Sequence, residues 1–171
     1  MVSRGFHAIQ VKELIHLNKD AVQVSFEIPV DLQQEFKFIP GQYINLELLI
    51  NGKKERRSYS ICSGPNEPLA VAVKRVDKGL VSNFLNDQSS TDFPIWIAKP
   101  EGNFKLDSAA KNIVCLAAGS GITPMLSMAK HLSSATKMHL FYGSQSKSTI
   151  LFEKDLAEIP SVNSTHFSQI L

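Results

Sequence analysis

The sequence has few cysteines, little net charge and no long hydrophobic run. Its 171 residues include two cysteines, too few for a disulfide scaffold, a four-cysteine zinc site or a plant-type [2Fe–2S] cluster. A formal net charge of +2 argues against a nucleic-acid-binding protein recognised by charge alone. No stretch approaches the roughly 18 apolar residues of a membrane span, and the amino-terminal segment lacks the apolar run of a signal peptide. These absences favour a soluble, cytoplasmic protein.

Several catalytic signatures are also missing. The five histidines show no HExxH or paired-ligand spacing, so we predict no metal site and interpret them as surface or strand residues. Neither a serine nucleophile elbow nor a pair of catalytic carboxylates occurs. We interpret Cys62 as a small packed hydrophobe and Cys115 as an inert residue of a buried strand. The sequence therefore offers no covalent nucleophile.

The first part of the chain, to about Leu106, consists of short segments with alternating polarity, separated by turns. Asn51-Gly52 is a favoured pair for a tight hairpin because both central residues need positive φ. One short helix, at residues 80–85, is predicted to begin at a glycine and interrupt the strands. Strands at this spacing predict a sandwich or a small barrel. The predicted strands are residues 8–17, 22–28, 43–49, 55–60, 69–76 and 93–98.

After Leu106 the hydrophobic period changes. Residues 112–118 form a continuous apolar run that is typical of a strand buried on both faces. Thr123 is the predicted N-cap of the next helix, with Pro124 at its first helical position, and Ser148 or Thr149 is the predicted cap of the second. The resulting β-α-β-α-β order is one mononucleotide-binding half. The predicted strands are residues 112–118, 138–142 and 166–171, and the predicted helices are residues 123–132 and 149–159.

The tetrapeptide Arg57-Ser58-Tyr59-Ser60 ends a predicted strand. An arginine fork suits bidentate contact with a phosphate, and here it stands beside an aromatic ring and two hydroxyls. The combination suits a cofactor that carries both a phosphate and a flat ring. The alternative is an ordinary strand with Tyr59 half buried and Arg57 in solvent. The charged run that starts at Lys53 is either a solvated turn or a docking edge for an acidic electron-transfer partner.

A second candidate site is Gly79-Leu80-Val81-Ser82, which follows Val73-Lys74-Arg75-Val76. Unpaired backbone N–H groups at the start of a helix attract anions. Gly79 permits a phosphate to approach closely, and Ser82 adds a hydroxyl. The alternative is an ordinary helix start with exposed Lys74 and Arg75. Both candidate segments lie on strands that can be neighbours in one barrel, so they can meet on one ligand.

A third candidate is the turn Gly119-Ser120-Gly121-Ile122-Thr123-Pro124, placed between a strand and a helix, where a nucleotide diphosphate can bind. The pattern lacks the third glycine of the dinucleotide fingerprint. The acid expected about 20 residues later is also absent, since position 139 is His and position 142 is Tyr. A tight strand-to-helix turn without a ligand is the alternative.

Four segments in the same order resemble the flavin domain of the ferredoxin–NADP reductase superfamily, over residues 1 to about 106. They are Pro40-Gly41-Gln42-Tyr43, the R-S-Y-S at Arg57, the V-x-V-K-R-V-x-x-G-x-x-S from Val71, and Pro100-x-Gly102-x-Phe104. The resemblance implies a six-stranded antiparallel Greek-key barrel that binds FAD over residues 1–106. A partial, three-stranded parallel α/β nucleotide-binding domain is then expected over residues 107–171.

The resemblance also implies roles for individual residues. Arg57 would pair with the FAD pyrophosphate, Tyr59 would pack on the isoalloxazine, and Ser60 would bind near flavin N5. The backbone of Val73 and Lys74 would meet the flavin edge. The remaining residues implied to bind FAD are Ser58, Arg75, Gly79, Leu80, Val81, Ser82 and Thr123.

The glycine-rich turn and the segment Phe141-Tyr142-Gly143-Ser144 resemble the superfamily's nicotinamide-nucleotide segments. Thr123 would then lie close to both nicotinamide and flavin, which completes a catalytic set with Tyr59 and Ser60. Relatives often carry an arginine after Tyr-Gly-x, where this chain has Gln145. That difference favours NADH over NADPH, although Lys147 offers a point charge nearby. The implied NAD(P)-binding residues are Gly119, Ser120, Gly121, Ile122, Thr123, Pro124, Gly143 and Ser144.

The superfamily's nucleotide domain usually has five strands in the order 3-2-1-4-5, and this sequence supplies three. We therefore expect a truncated chain, impaired in NAD(P)H oxidation, with an exposed edge at residues 112–118 that is open to association. The segments R-S-Y-S-I-C-S, from Arg57, and V-K-R-V, from Val73, most resemble those of the reductases of phenylacetate and phenol oxygenases. The implied function is electron transfer from NAD(P)H through FAD to a ferredoxin or oxygenase, with no iron–sulfur cluster in this chain. The alternative is a non-catalytic flavin-binding or electron-transfer subunit without nicotinamide binding.

Overall fold

A computed structural model describes residues 3–107 and 109–168 of the chain. The first part is a six-stranded antiparallel sheet, and its strand bounds agree with the predicted ones to within two residues. The strands are β1 (Phe6–Asn18), β2 (Ala21–Glu27), β3 (Tyr43–Ile50), β4 (Lys53–Ser60), β5 (Ala70–Lys74) and β6 (Ile95–Ala98). Their order in the sheet is β4-β3-β6-β1-β2-β5, so β6 inserts between two earlier strands as in a Greek key.

The two end strands of this sheet meet and close it into a barrel. Just after β4, Ile61 forms an antiparallel bridge with Val71 of β5. Next to it, the Cys62 N–H donates to the Ala70 carbonyl oxygen at 2.9 Å. The β3–β4 hairpin turns at Asn51 and Gly52, with φ of 51° and 74°, as the Asn-Gly pair predicts. The apolar side chains that alternate along the strands fill the barrel interior.

A short helix, α1 (Leu80–Asn86), packs on the barrel after β5 and begins at Gly79, as predicted. Val81 and Leu85 enter the barrel core. The Asn86 side-chain amide donates to the Val73 carbonyl oxygen at 3.0 Å, and this bond fastens the helix to β5. The end of β5 and the start of α1 are therefore held side by side.

A buried carboxylate stands on the β3 strand of the barrel. Glu47 has no exposed surface and accepts hydrogen bonds from Ser3 Oγ at 2.8 Å and Arg56 Nε at 2.7 Å, while Lys54 Nζ lies 2.9 Å away. Burial alone would raise the pKa of Glu47, but the hydrogen bonds from Lys54, Ser3 and Arg56 lower it to about 2. Arg56 also lies over the ring of Phe6. This network ties the amino-terminal segment to β3 and β4.

The second part of the chain is a three-stranded parallel sheet with the order β7-β8-β9. Its buried residues and those of the two helices form a second core, which also includes Ala21, Cys62, Ala70 and Ala72 of the first part. None of the helices in the described ranges is long and apolar enough to cross a membrane. The elements are β7 (Asn112–Ala118), α2 (Ile122–Ala129), β8 (Lys137–Ser144), α3 (Glu153–Ala157) and β9 (Val162–Ser168), with 3-10 turns at Gly119–Gly121, Lys147–Thr149 and, in the first part, Val30–Leu32.

The prediction that residues 112–118 are buried on both faces is wrong. Cys115 is buried, but Val114 is 68% exposed and Leu116 is 75% exposed. Both α2 and α3 pack on one face of the sheet, so the other face keeps its apolar side chains in solvent, including the stacked rings of Phe141 and Phe167. Within the described ranges β7 pairs with β8 alone, and its outer edge is open, as expected.

The helix ends also differ from the predicted ones. Thr123 is not an N-cap and Pro124 is not the first helical residue. The helix α2 begins at Ile122, after Gly121, so Pro124 is its third residue, and the Thr123 hydroxyl donates to the Ser120 carbonyl oxygen at 2.9 Å. The helix ends at Ala129 because the next residues make shorter-range bonds, such as the His131 N–H to the Met128 carbonyl oxygen at 3.0 Å.

The second predicted helix breaks into two pieces. Ser146, rather than Ser148 or Thr149, caps the 3-10 turn at Lys147–Thr149. The helix α3 starts later, after Phe152, whose φ of 60° interrupts the helical backbone. Strand β9 begins four residues before the predicted start at position 166, and residues 169–171 of the predicted strand lie outside the described residues.

Candidate functional site

The end of strand β4 presents an arginine and a tyrosine on one face. Arg57 and Tyr59 are two residues apart, so their side chains leave the strand on the same side. The Arg57 guanidinium is half exposed, donating to the Arg56 carbonyl oxygen at 2.6 Å and lying 3.5 Å from Glu55. Tyr59 is half buried against the barrel core. The arginine therefore keeps donors free for an anion next to a supported aromatic ring.

Tyr59 is a neutral phenol at physiological pH. Burial raises the pKa of Tyr59 to about 12, although the Arg57 charge acts in the opposite direction. The two serines of the motif differ in their surroundings. Ser58 donates to the Asn45 side-chain oxygen at 2.5 Å, across the β3–β4 pair, and Ser60 lies opposite Tyr43 at the end of the strand. Ser58 thus serves the sheet, while Ser60 stands where the strand ends.

The turn before α1 is narrow and internally bonded. A Cβ at Gly79 would come within 2.5 Å of Ser82 Oγ and 3.1 Å of Val76, so the turn requires glycine. Ser82 Oγ accepts from the Val76 N–H at 3.1 Å and donates to the Gly79 carbonyl oxygen at 3.4 Å. The Ser82 hydroxyl thus shapes the turn, and Leu80 at the helix start is exposed. Of the predicted residues here, Val81 is buried in the core.

Lys74 and Arg75, at the end of β5, contact different parts of the molecule. Arg75 is not freely exposed: its Nη1 donates to Asp87 at 2.8 Å and to Asn83 at 3.3 Å. Lys74 reaches the glycine-rich turn, where its Nζ lies 3.7 Å from the place that a Cβ of Gly119 would take. The resemblance placed Lys74 beside the flavin, and the structure adds it to the glycine-rich turn of the second sheet.

A cavity of about 790 Å³ opens at the carboxyl ends of β7 and β8. Ligands of open α/β sheets bind at this edge. Gly119 has a φ of 52°, in the left-handed region that favours glycine. A side chain at Gly121 would meet open space. The lining residues are Lys74, Ala118, Gly119, Ser120, Gly143, Ser144, Gln145, Thr149 and Phe167.

The glycine-rich turn is held from below by a tyrosine that the sequence did not identify as a site residue. The Tyr142 hydroxyl donates to the Gly119 carbonyl oxygen at 3.0 Å and accepts from the Leu151 N–H at 3.2 Å. Burial raises the pKa of Tyr142, while the bond from Leu151 acts to lower it. A tyrosine in a buried strand was the available signal, because a buried phenol needs a hydrogen-bond partner.

The structure divides the predicted nucleotide-binding residues into two groups. Gly119, Ser120, Gly143 and Ser144 line the cavity. Ile122, Thr123 and Pro124 are buried within α2 and support the turn from beneath, and they do not line the cavity. Gly121 belongs to neither group, since it is exposed and does not line the cavity. Gln145, Thr149 and Phe167 also line the cavity, and the sequence pointed to a ligand-binding role only for Gln145. Thr149 follows β8 and Phe167 lies near the end of β9, and these positions at the carboxyl ends of parallel strands were the available signal.

These residues fit the groups that the sequence implies. The half-exposed Arg57, the ring of Tyr59 and the helix start after Gly79 are suited to an aromatic cofactor with phosphates. The glycines at 119, 121 and 143 leave space that side chains would fill, which suits a nucleotide backbone. Among the described residues no group of His, Cys, Asp or Glu is placed to hold a metal ion.

Known protein families match both parts of the chain. The model of the oxidoreductase FAD-binding domain matches residues 8–106, and that of the oxidoreductase NAD-binding domain matches residues 115–170. The chain belongs to the oxidoreductase FAD-binding domain family. Members of this family are FAD-dependent NAD(P)H oxidoreductases. The predicted resemblance to ferredoxin–NADP reductases is confirmed.

Curated relatives include reductase components of oxygenase systems. The chain is 31% identical over 162 residues to one of the subunits of the 1,2-phenylacetyl-CoA epoxidase of Escherichia coli, covering 90% of this chain and 45% of the relative. It is 34% identical over 165 residues to the glycine betaine monooxygenase reductase subunit of Pseudomonas aeruginosa, covering 93% and 44%. The chain thus spans about 45% of the length of these relatives.

Solved structures share the fold. The FAD/NAD-binding domain of nitric oxide dioxygenase from Vibrio cholerae superposes with a TM-score of 0.86 at 23% identity, covering 97% of this chain and 75% of that one. Phthalate dioxygenase reductase gives a TM-score of 0.75 at 26% identity, covering 95% and 52%. The predicted combination of an antiparallel Greek-key barrel with a three-stranded parallel α/β unit is confirmed.

Proposed function

We propose that the barrel binds FAD and that the chain passes electrons from NAD(P)H through this flavin to a ferredoxin or oxygenase partner. Residues 1–106 form the flavin unit and residues 107–171 the nucleotide unit. One observation carries the proposal: Lys74, at the end of the barrel strand β5, lies against Gly119 and lines the cavity of the parallel sheet. The barrel and the glycine-rich turn therefore open onto one site.

Each part of the site has a task in this proposal. Arg57 binds the FAD pyrophosphate, because its half-exposed guanidinium retains free donors. Tyr59 orients the flavin ring as a neutral phenol on a rigid strand. Ser60, at the end of β4, supplies a hydroxyl near the reacting edge. When bound, FAD supplies the chemistry of accepting hydride and releasing electrons singly.

The glycine-rich turn binds the diphosphate of NAD(P)H. Gly119 and Gly121 allow close approach of the ligand, and the Tyr142 hydroxyl fixes the turn before the ligand arrives. Lys74 adds a positive charge to the cavity. Thr123 acts indirectly, since its hydroxyl is bonded to Ser120. These groups would hold the diphosphate beside Lys74, at the end of the barrel strand β5.

The cavity favours NADH over NADPH. Gln145 lines it at the position where an arginine would pair with a 2′-phosphate. Lys147 is exposed in the following 3-10 turn and does not line the cavity. The neutral amide gives an extra phosphate no charge partner at this position, and the cation that lines the cavity, Lys74, lies beside Gly119.

A second candidate function is flavin binding without nicotinamide oxidation. The exposed face and open edge of β7, with Val114 and Leu116 in solvent, favour it. In the described ranges the parallel sheet that supports the nucleotide cavity has the three strands β7, β8 and β9, and apart from Lys74 of β5 the cavity is lined by residues at or after the ends of these strands. Such a chain would hold FAD but bind NAD(P)H weakly.

Anaerobic reduction separates the two candidates. The full chain is loaded with FAD, and NADH or NADPH is added without oxygen while the oxidised-flavin absorbance is followed. Bleaching by NADH, with a smaller effect of NADPH, is expected for the reductase. A yellow chain that dithionite bleaches but neither nucleotide bleaches supports the second candidate. A chain that stays colourless after addition of FAD contradicts both.

A further inference from the structure

The two parts of the chain are joined by a buried hydrogen bond from α2. Ser127, fully buried on this helix, donates from Oγ to the Ser63 carbonyl oxygen at 2.7 Å, across 64 positions of sequence. Ser63 is itself fixed, because its Oγ accepts from the Ala70 N–H at 3.0 Å. The bond therefore connects α2 to the segment between β4 and β5.

A salt bridge one turn further along α2 makes a second connection. Lys130 Nζ lies 2.8 Å from Glu67 Oε2, and the same oxygen accepts from the Gly64 N–H at 2.9 Å. Asp155 of α3 lies 4.0 Å from the ammonium. Burial alone would raise the pKa of Glu67, but the contacts with Lys130 and Gly64 hold it below its usual value. We call the Ser127–Ser63 and Lys130–Glu67 contacts together the α2 clamp.

The surfaces under the clamp fit closely. A Cβ at Gly41 would come within 2.4 Å of Met128 Cε, so the missing side chain makes room for α2. A Cβ at Gly64 would lie 3.2 Å from Lys130 Cβ. The helix thus lies directly on the barrel, and a small change at the clamp cannot be absorbed by a gap.

The clamp connects α2 to the segment that follows β4, while the other end of α2 adjoins the glycine-rich turn. The segment that it grips, residues 63–67, begins three residues after β4 ends and follows the Ile61–Val71 bridge. The other end of α2 begins directly after the glycine-rich turn Gly119–Gly121. An eight-residue helix is about 12 Å long, so α2 is a short rigid strut from the barrel segment to the turn.

We propose that Ser127 and Lys130 are positioning residues that set the distance between the nicotinamide and the flavin. The inference rests on the proposed function. Hydride transfer needs reacting atoms about 3–3.5 Å apart, and a misplacement of about 1 Å can slow a reaction about a hundredfold. By fixing α2 on residues 63–67, the clamp fixes the glycine-rich turn relative to the strand of Arg57 and Tyr59.

The first test compares Ser127→Ala with Leu140→Val in the full, FAD-loaded chain. Leu140 is buried in β8, within the second core, so its truncation destabilises that core while it leaves both polar contacts of the α2 clamp in place. Anaerobic stopped flow gives the rate of flavin reduction at saturating NADH, and thermal melting gives stability. Ser127→Ala is expected to slow reduction about tenfold or more with FAD affinity unchanged, whereas Leu140→Val leaves the rate at the wild-type value. Equal rates in the two variants overturn the proposal.

The second test uses the salt bridge and a conservative rescue. Lys130→Met removes the charge, and Lys130→Arg retains it. The methionine variant is expected to slow flavin reduction at saturating NADH while the apparent NADH Kd changes little, and the arginine variant is expected to restore the rate. A methionine variant as fast as wild type, or an arginine variant as slow as the methionine one, contradicts a positioning role.

Hydrogen exchange decides the proposal without any nucleotide. Ser127→Ala is expected to raise amide exchange both at residues 61–66 and at the distant turn 119–123, whereas Leu140→Val leaves residues 61–66 protected. Unchanged exchange at 119–123 in Ser127→Ala overturns the proposal. If NADH fails to reduce the FAD-loaded wild-type chain, the proposed function is contradicted, and the exchange at 119–123 alone then confirms or overturns the clamp.

Discussion

Replacement of Gly41 by alanine tests its close approach to Phe104 in the first part of the chain and to Met128 of α2. Gly41 has a φ of 97°, and a Cβ there would lie 1.9 Å from the Phe104 carbonyl oxygen and 2.4 Å from Met128 Cε. Gly52 in the β3–β4 turn is the matched control. It also has a positive φ, of 74°, but a Cβ there would meet nothing within 4 Å.

Both substitutions put a side chain at a positive φ, which lowers the free energy of unfolding, but only Gly41→Ala also creates a steric clash. A side chain at positive φ costs about 1–2 kcal/mol, so Gly52→Ala is expected to lower the free energy of unfolding by about that amount. Overpacking adds about 1–3 kcal/mol, and at Gly41 the upper end applies because the backbone at Phe104 must move. Gly41→Ala is therefore expected to cost about 3–5 kcal/mol.

Urea denaturation measures both variants. Trp96, the single tryptophan, stands in β6 and reports on the barrel through its fluorescence, and far-ultraviolet circular dichroism reports on the whole chain. The expected result is a difference of about 2–3 kcal/mol between the variants. Equal losses in Gly41→Ala and Gly52→Ala would refute the close approach of Gly41 to Phe104 and Met128.

Three further predictions follow from single residues. Tyr142→Phe is expected to lower the free energy of unfolding by about 1–3 kcal/mol because the glycine-rich turn loses its bond, and urea denaturation showing no more loss than in Tyr43→Phe contradicts this. The wild-type chain loses stability from Glu47 as pH falls from about 4.5 toward 2, since its folded pKa is depressed; Glu47→Gln should flatten melting temperature against pH there, and an unchanged slope speaks against it. Leu116→Lys places a charge on the exposed apolar face of the parallel sheet and should reduce self-association, measured as concentration-dependent light scattering; unchanged scattering shows that this face does not cause the association.

The strands of the barrel were predicted well because several of them have an apolar face toward the core and a more polar face toward solvent. Alternating polarity and the Asn51-Gly52 turn are properties of adjacent residues, and they fixed the strand bounds to within two positions. The burial of β7 was not predictable in the same way. A continuous apolar run cannot reveal that both helices lie on one face and leave Val114 and Leu116 in solvent.

In the candidate site, too, the features encoded by adjacent residues were predicted, and the contacts between distant residues were not. Motif positions placed Gly119 and Gly143 at a cavity, because the carboxyl ends of parallel strands meet there. The bond of Tyr142 to Gly119 and the approach of Lys74 join distant parts of the sequence, so no local pattern encodes them. The predicted roles of Arg57 and the other FAD-binding residues stay predictions.

Titration of the full chain with FAD tests the central claim most directly. Flavin fluorescence gives the Kd for wild type, for Arg57→Ala and for Arg4→Ala, an exposed arginine as the matched control. The account predicts tight binding by wild type and the control. A hydrogen bond to a charged group contributes about 1.5–3 kcal/mol, so Arg57→Ala should weaken binding about ten- to hundredfold. No saturable binding by the wild-type chain, or equal Kd values for all three, would contradict the account.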